Sequence, residues 1–185
     1  QFRAPKDPAF TAGPITLRAV PGEVLWLRGA NGAGKTTLLR AMAGLDGNPG
    51  LLATHGVSVS LALQRAADQL AESTVGDFVA SDAALACLAE LGVDLDPDDH
   101  PLDLPAAHLR LAQLAQVFNQ ERELVLLDEP DVGLDTPNRA RAHALIADAL
   151  ARGAAVILTC HDASFAAEVG EYAVVDEILL PRITH

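Results

Sequence analysis

The stretch Gly29-Ala30-Asn31-Gly32-Ala33-Gly34-Lys35-Thr36-Thr37 constrains this chain more than any other. It fits G-x-x-x-x-G-K-[ST] in full, a glycine-rich turn whose backbone amides converge on phosphate oxygens. The apolar run Glu23–Arg28 ahead of it reads as a strand, and Lys35 to Ala43 behind it reads as a helix. Strand, turn and helix N-terminus are the context the motif needs, because the helix adds its positive end to the ring of N–H groups. Glycine is required where a Cβ would block the backbone's approach or where φ is positive. In such a loop Lys35 reaches the β- and γ-phosphates and the Thr36 hydroxyl binds Mg²⁺. The pattern predicts a nucleotide-phosphate site in an α/β setting.

The 185 residues fit one domain of ordinary size with a full core, and with 50% apolar residues disorder is not expected. Thirteen basic against 25 acidic residues leave a net charge of −12, which argues against nonspecific binding to nucleic acid or to an anionic membrane surface. No nucleic-acid partner is expected. No apolar run approaches the ~20 residues that span a bilayer, and no signal peptide is read. The cysteines, Cys87 and Cys160, suggest no disulfide framework and fit a reducing compartment; both read as small buried residues.

Along the chain, the first dozen residues read as loop or edge segment, Ile15 to Val20 as a strand, and Pro21-Gly22 as the turn into Glu23–Arg28. The helix after the glycine turn stops near Gly44, a C′ glycine. Gly44 to Gly50 is a loop, and Val57 to Leu63 is a strand ending at Gln64. Residues 65–92 read as mostly helical, with Ser73-Thr74 as a start. Asp94 to Pro105, with five Asp and three Pro, reads as a solvated connector. Ala106 to Asn119 is a helix, Glu123 to Leu127 a buried strand, and Ala154 to Thr159 another. Between those strands lies a helix capped by Asp135 or Thr136, with Pro137 in its first position and Gly153 at its end. Tyr172 to Leu180 is a terminal strand or hairpin. Strands alternating with helices imply a mainly parallel sheet flanked by helices.

A second constellation lies at Leu124-Val125-Leu126-Leu127-Asp128-Glu129-Pro130, an apolar strand that delivers two carboxylates at its C-terminal end. Ligands of open α/β sheets sit at that edge. There Asp128 suits Mg²⁺, through water, and Glu129 suits the attacking water as general base.

With this pair the chain resembles the ATP-binding subunit of ABC transporters over nearly its whole length. Gly29–Thr37 matches the Walker A loop, Gln64 the Q-loop glutamine, Asp128-Glu129 the Walker B pair, and Gly133-Leu134-Asp135 the D-loop. His161, after Val156-Ile157-Leu158-Thr159-Cys160, matches the switch histidine. Ser73-Thr74-Val75 sits where the family often has Leu-Thr-Val. The resemblance implies an α/β P-loop NTPase with a small N-terminal antiparallel β portion. It implies one ABC-type ATPase domain over 1–185, with a short helical subdomain at about 70–105. It further implies ATP and Mg²⁺ as ligands, with Thr36, Gln64 and Asp128 around the metal. Glu129, His161, Lys35 and Gln64 form the catalytic set, with His161 contacting the γ-phosphate, and Asp135 lies at a dimer interface. The other histidines, His55, His100, His108, His143 and His185, have no metal-ligand spacing and read as incidental.

The pattern breaks at the signature segment. Where the family has Leu-Ser-Gly-Gly-Gln, this chain has Leu104-Pro105-Ala106-Ala107-His108. That segment normally grips the γ-phosphate held by the partner subunit, so these five residues also belong to the expected dimer interface. Pro105 has neither a hydroxyl nor an N–H, and the two alanines place methyl groups where glycine permits close approach. Losing one such donor typically costs about 3 kcal/mol, or ~10²–10³ in rate. Either a homodimer hydrolyses ATP slowly at two weakened sites, or the chain pairs with another ATPase subunit whose signature is intact. Phe2 and Phe10 are the only candidates to stack on adenine. The segments 44–57 and 64–104 are short for the family, as in compact subunits of cytochrome c maturation exporters.

The resemblance implies an ATPase motor subunit, cytoplasmic and peripheral on the inner face of the cell membrane, energising a separate transmembrane permease. A soluble ABC-type ATPase without a permease, and a nucleotide-sensing subunit with little turnover, are the competing readings. The intact Glu129 and His161 oppose the second of these, since a dead site need not keep them.

Overall fold

The structure, a computed structural model, describes residues 17–30, 34–45 and 57–180. Its strands are β1 (Val24–Arg28), β2 (Val59–Ala62), β3 (Leu124–Leu127), β4 (Ala155–Leu158) and β5 (Val175–Leu179). Among the described residues these make one sheet in the order β2-β3-β4-β1-β5, and every neighbouring pair runs parallel. The helices are α1 (Lys35–Met42), α2 (Val75–Val79), α3 (Asp82–Glu90), α4 (Ala106–Asn119), α5 (Thr136–Ala151) and α6 (Ala163–Val169).

The central strands β3 and β4 are apolar on both sides because both faces are covered. Val125, Leu127, Val156 and Leu158 point to the face packed by α4 and α5, along with Val75, Phe78 and Leu88 from α2 and α3. The alternate residues Leu25, Leu27, Leu126 and Ile157 point to the other face, where Leu38, Leu39 and Met42 of α1 meet them. Period-two alternation thus decides which layer each side chain joins, while burial on both sides removes any polar alternation from the sequence.

Helix ends follow local chemistry. Gly44, at φ 75°, closes α1: its N–H reaches Ala41 O while the Leu45 N–H reaches Arg40 O. Gly153, at φ 96°, closes α5 with the same bond pair. Thr74 caps α2 through the Asp77 N–H, and Ser81 caps α3 through the Ala84 N–H. Asp135 caps α5 through the Asn138 N–H, so Thr136 holds the first position and Pro137 the second.

Three expectations need adjustment. Leu17 to Val20 form no strand, and the rest of the expected antiparallel portion, including Ile15, falls outside the described residues. The stretch 65–92 is broken: Ala80 takes φ 56° and ends α2 before α3 begins. Cys87 and Cys160 are only partly buried, although both thiols are shifted upward by burial, Cys160 to about 12. Helix α6 is seven residues long and gives little periodic signal, but it buries Phe165 completely.

Candidate functional site

All five strands run the same way, so their C-terminal ends form one rim. Gly29, Leu63, Asp128 and Thr159 follow β1, β2, β3 and β4 at that rim. Of the phosphate loop, Asn31, Gly32 and Ala33 lie outside the described residues, and Gly29, Ala30, Gly34, Lys35, Thr36 and Thr37 are described. Gly34 stands at φ 85°, where an L side chain is disfavoured, and it is the uncapped start of α1. Among the described residues no side chain caps that helix end, which leaves its first amides available to an anion. Lys35 folds back, its Nζ donating to Gly29 O at 2.7 Å.

The two constellations meet. Thr36 Oγ1 donates to Asp128 Oδ2 at 2.9 Å, joining residues 92 positions apart. Asp128 is 2% exposed. Its other oxygen accepts from the fully buried Thr159 hydroxyl at 3.0 Å, and that hydroxyl in turn accepts the Glu129 N–H at 2.9 Å. Glu129 sits at φ 49°, a left-handed conformation that costs a residue with a Cβ about 1–2 kcal/mol. The hydrogen bond to Thr159, worth about 1 kcal/mol net, offsets much of that cost. A side chain on a turn held this way projects off the end of its strand, and Glu129 stays partly exposed at the rim.

The next turn is fastened to the neighbouring strand. Asp131, 6% exposed, accepts the His161 N–H at Oδ1 (3.0 Å) and the Asp162 N–H at Oδ2 (2.8 Å). The His161 ring is exposed and makes no hydrogen bond among the described residues. Asp162 caps α6 through Ser164, and Arg139 of α5 donates to Ser164 Oγ and to Glu168. His143, read as incidental from the sequence, is built into this α5–α6 contact: it stacks on Phe165 and bridges Tyr172 and Glu168.

Gln64 is exposed with no partner of its own among the described residues, but its neighbour is clamped. The Leu63 carbonyl accepts from Arg110 at 2.7 Å and from Gln113 at 3.0 Å, both on α4. The Gln69 amide accepts the Leu63 N–H and donates to Leu61 O, a strand-like pair of bonds along the edge of β2 that has no second neighbour among the described residues. Arg110 is 5% exposed, and burial pulls its guanidinium pKa down against the opposing pull of Asp128, Asp131 and Glu129. Of seven buried polar residues among those described, five (Arg110, Gln113, Asp128, Asp131 and Thr159) lie in these networks. Sequence reasoning found one of the five, Asp128.

Leu104 to His108 lie at the start of α4. Pro105 is the N-cap and supplies no side-chain cap, so the helix begins where it was expected and its first turn is open. Asp135 caps its own helix, through both Asn138 N and Asn138 Nδ2.

A parallel sheet with a glycine turn between its first described strand and first helix, and an acidic pair two strands over beyond β4, defines a P-loop NTPase. The ABC transporter family model matches residues 13–132. A Streptomyces coelicolor ABC transporter ATP-binding protein is 35% identical over 182 residues, covering 86% of this chain and 32% of the relative. The cytochrome c biogenesis ATP-binding export protein of Bordetella parapertussis is 32% identical over 172 residues, covering 80% of this chain and 76% of the relative. A solved ATP-binding subunit of an ABC transporter superposes with a TM-score of 0.75 at 20% identity, covering 97% of this chain and 83% of that one. The chain belongs to the ABC transporter ATP-binding family, and it spans about a third of the length of its Streptomyces relative. Among the described residues no helix is long and apolar enough to cross a membrane.

Proposed function

We propose that this chain is an ATP-binding and ATP-hydrolysing module that energises a separate transmembrane permease from the cytoplasmic face of the membrane. The observation that carries the reading is the Thr36–Asp128–Thr159–Glu129 chain of hydrogen bonds, which brings a phosphate loop and an acidic pair into one site. Residues 1–185 act as one ATPase domain, with about 70–105 as its short helical subdomain. In this reading Lys35 releases Gly29 O and turns to the β- and γ-phosphates. Glu129 takes a proton from the attacking water, His161 contacts the γ-phosphate, and Gln64 completes the water shell.

The Thr36 hydroxyl and the Asp128 carboxylate are hard oxygen donors 2.9 Å apart, a pair that suits Mg²⁺, and in this reading Gln64 joins them around the metal. Among the described residues no cluster of three His, Cys, Asp or Glu would hold a metal alone, so such an ion depends on phosphate oxygens and water. When bound it neutralises developing charge on the phosphates.

ATP would bridge two such modules, with Asp135 and Leu104–His108 at the interface. The open first turn of α4 supports a phosphate contact there, but Pro105 brings no donor to it. A partner with an intact signature, on another chain or on the same longer polypeptide, would supply the better clamp. The same defect favours a second reading, a nucleotide sensor that binds ATP and barely turns over.

Calorimetry with Mg-ATP tests the site. The chain should bind, and Lys35→Ala should weaken binding at least about tenfold. An absence of heat from the unmodified chain ends the proposal. Tight binding with no turnover, with or without partners, selects the sensor.

A further inference from the structure

Asp131 has no role in the scheme above, yet it is one of the most constrained side chains at the rim. It lies two residues after Glu129 and four before Asp135, on the turn that joins the acidic pair to the cap of α5. Burying a carboxylate is unfavourable unless its oxygens are satisfied. Here each oxygen takes one of two consecutive backbone amides, those of His161 and Asp162. Two acceptors on two successive N–H groups fix both the position and the tilt of the peptide between them. The amides belong to the segment after β4, whereas Asp131 belongs to the turn after β3. Positive charge is at hand in Arg139, whose guanidinium pKa is raised by its hydrogen bond to Glu168 and also by Asp131. The rest of the segment is pinned too, Thr159 to Asp128 and Ser164 to Arg139, so the Asp131 carboxylate is the tie nearest the histidine.

We infer that Asp131 is a positioning residue for His161. It sets the histidine backbone relative to Glu129 and makes the ring follow any movement of the turn that ends in Asp135. The inference rests on the ATPase reading of the site. It differs from a simple loop brace in one respect: its effect on turnover runs through the histidine ring.

A double-mutant cycle separates the two. Asp131→Ala should lower kcat by about tenfold or more while Mg-ATP affinity stays within about twofold of the unmodified chain. In a His161→Ala background the same change should cost less than about twofold further. Equal losses in both backgrounds, or a loss of ATP affinity instead of kcat, overturn the inference. Asp131→Asn, which retains one acceptor, should fall between, and it replaces the alanine variant if that one does not fold.

A second arm needs no turnover. Amide exchange in a peptide covering His161 and Asp162 should accelerate in Asp131→Asn while exchange in α5 is unchanged. Unchanged exchange at 161–162 overturns the tie. If the unmodified chain hydrolyses no ATP with any partner, the ATPase reading falls, and the exchange arm still decides whether Asp131 holds this segment.

Discussion

Thr159 carries no charge and belongs to no motif, yet two of the site's acidic residues depend on it. Its hydroxyl serves both, giving its proton to Asp128 and one lone pair to the Glu129 N–H. Thr159→Val keeps the shape and removes both bonds. The stranded Glu129 amide should cost about 1–3 kcal/mol of stability, read by urea denaturation. Turnover should fall with it, because Glu129 loses the bond that holds its left-handed turn. Thr159→Ser should recover most of both; a valine variant as stable and as active as the original would show that the hydroxyl is idle. Lys35, Thr36, Asp128 and Glu129 were legible in the sequence because each sits at a fixed offset from glycines or at the end of an apolar strand. Thr159, Asp131, Arg110 and Gln113 were not. They serve main-chain groups of distant segments, and nothing in local spacing marks that service.

At the scale of elements, α5 and α6 are joined by a polar contact rather than by apolar packing alone. Arg139 Nε donates to Glu168 Oε2 at 2.7 Å, and His143 Nε2 lies 2.6 Å from the same oxygen. The Arg139 hydrogen bond, with a smaller contribution from His143, holds the Glu168 carboxyl below the usual carboxylate range. A carboxyl depressed in the folded state contributes stability that is complete above its unfolded value, about 4.3, and fades as pH falls through the folded one. The melting temperature should therefore drop on acidification below about pH 4.5. Glu168→Gln should melt lower near neutrality and show a shallower decline between about pH 5 and 3. Parallel declines in the two proteins would mean that this carboxyl carries none of the acid sensitivity. Elements with a clean local signature were legible: β3 and β4 as unbroken apolar runs, α4 from its stripe, and the glycine stops of α1 and α5. Helix α6 was missed because seven residues hold too few turns to show a period. The expected strand through Leu17 to Val20 alternates correctly, but no neighbouring strand among the described residues pairs with it. Alternation alone does not make a strand.

For the whole molecule, the alternation of strand and helix was enough to read a flanked parallel sheet, and the ordered landmarks were enough to read the family. Which strands lie side by side was not readable, because pairing joins segments far apart in the chain. The prediction that belongs to this scale concerns completeness. If the α4 start is a poor clamp, the chain alone should turn over ATP well below ~1 s⁻¹ and gain at least about tenfold with a partner that has an intact signature. A purified chain running faster than that unaided would show that Pro105 and the two alanines do the work of the usual serine and glycines.

The strand order carries a consequence for how such a chain comes off the ribosome. β1 leads directly into the glycine turn and comes first among the described strands, but among the described residues its only neighbours in the sheet are β4 and β5, the last two. Val24, Leu25 and Leu27, each nearly inaccessible in the finished protein, have no strand to pair with among the described residues until residue 158 has emerged. During that wait the nascent polypeptide shows a sticky apolar segment, the kind of exposure that invites chaperones or misassociation. The nucleotide pocket is thus among the last features to form, although its best-known residues are among the first to be made.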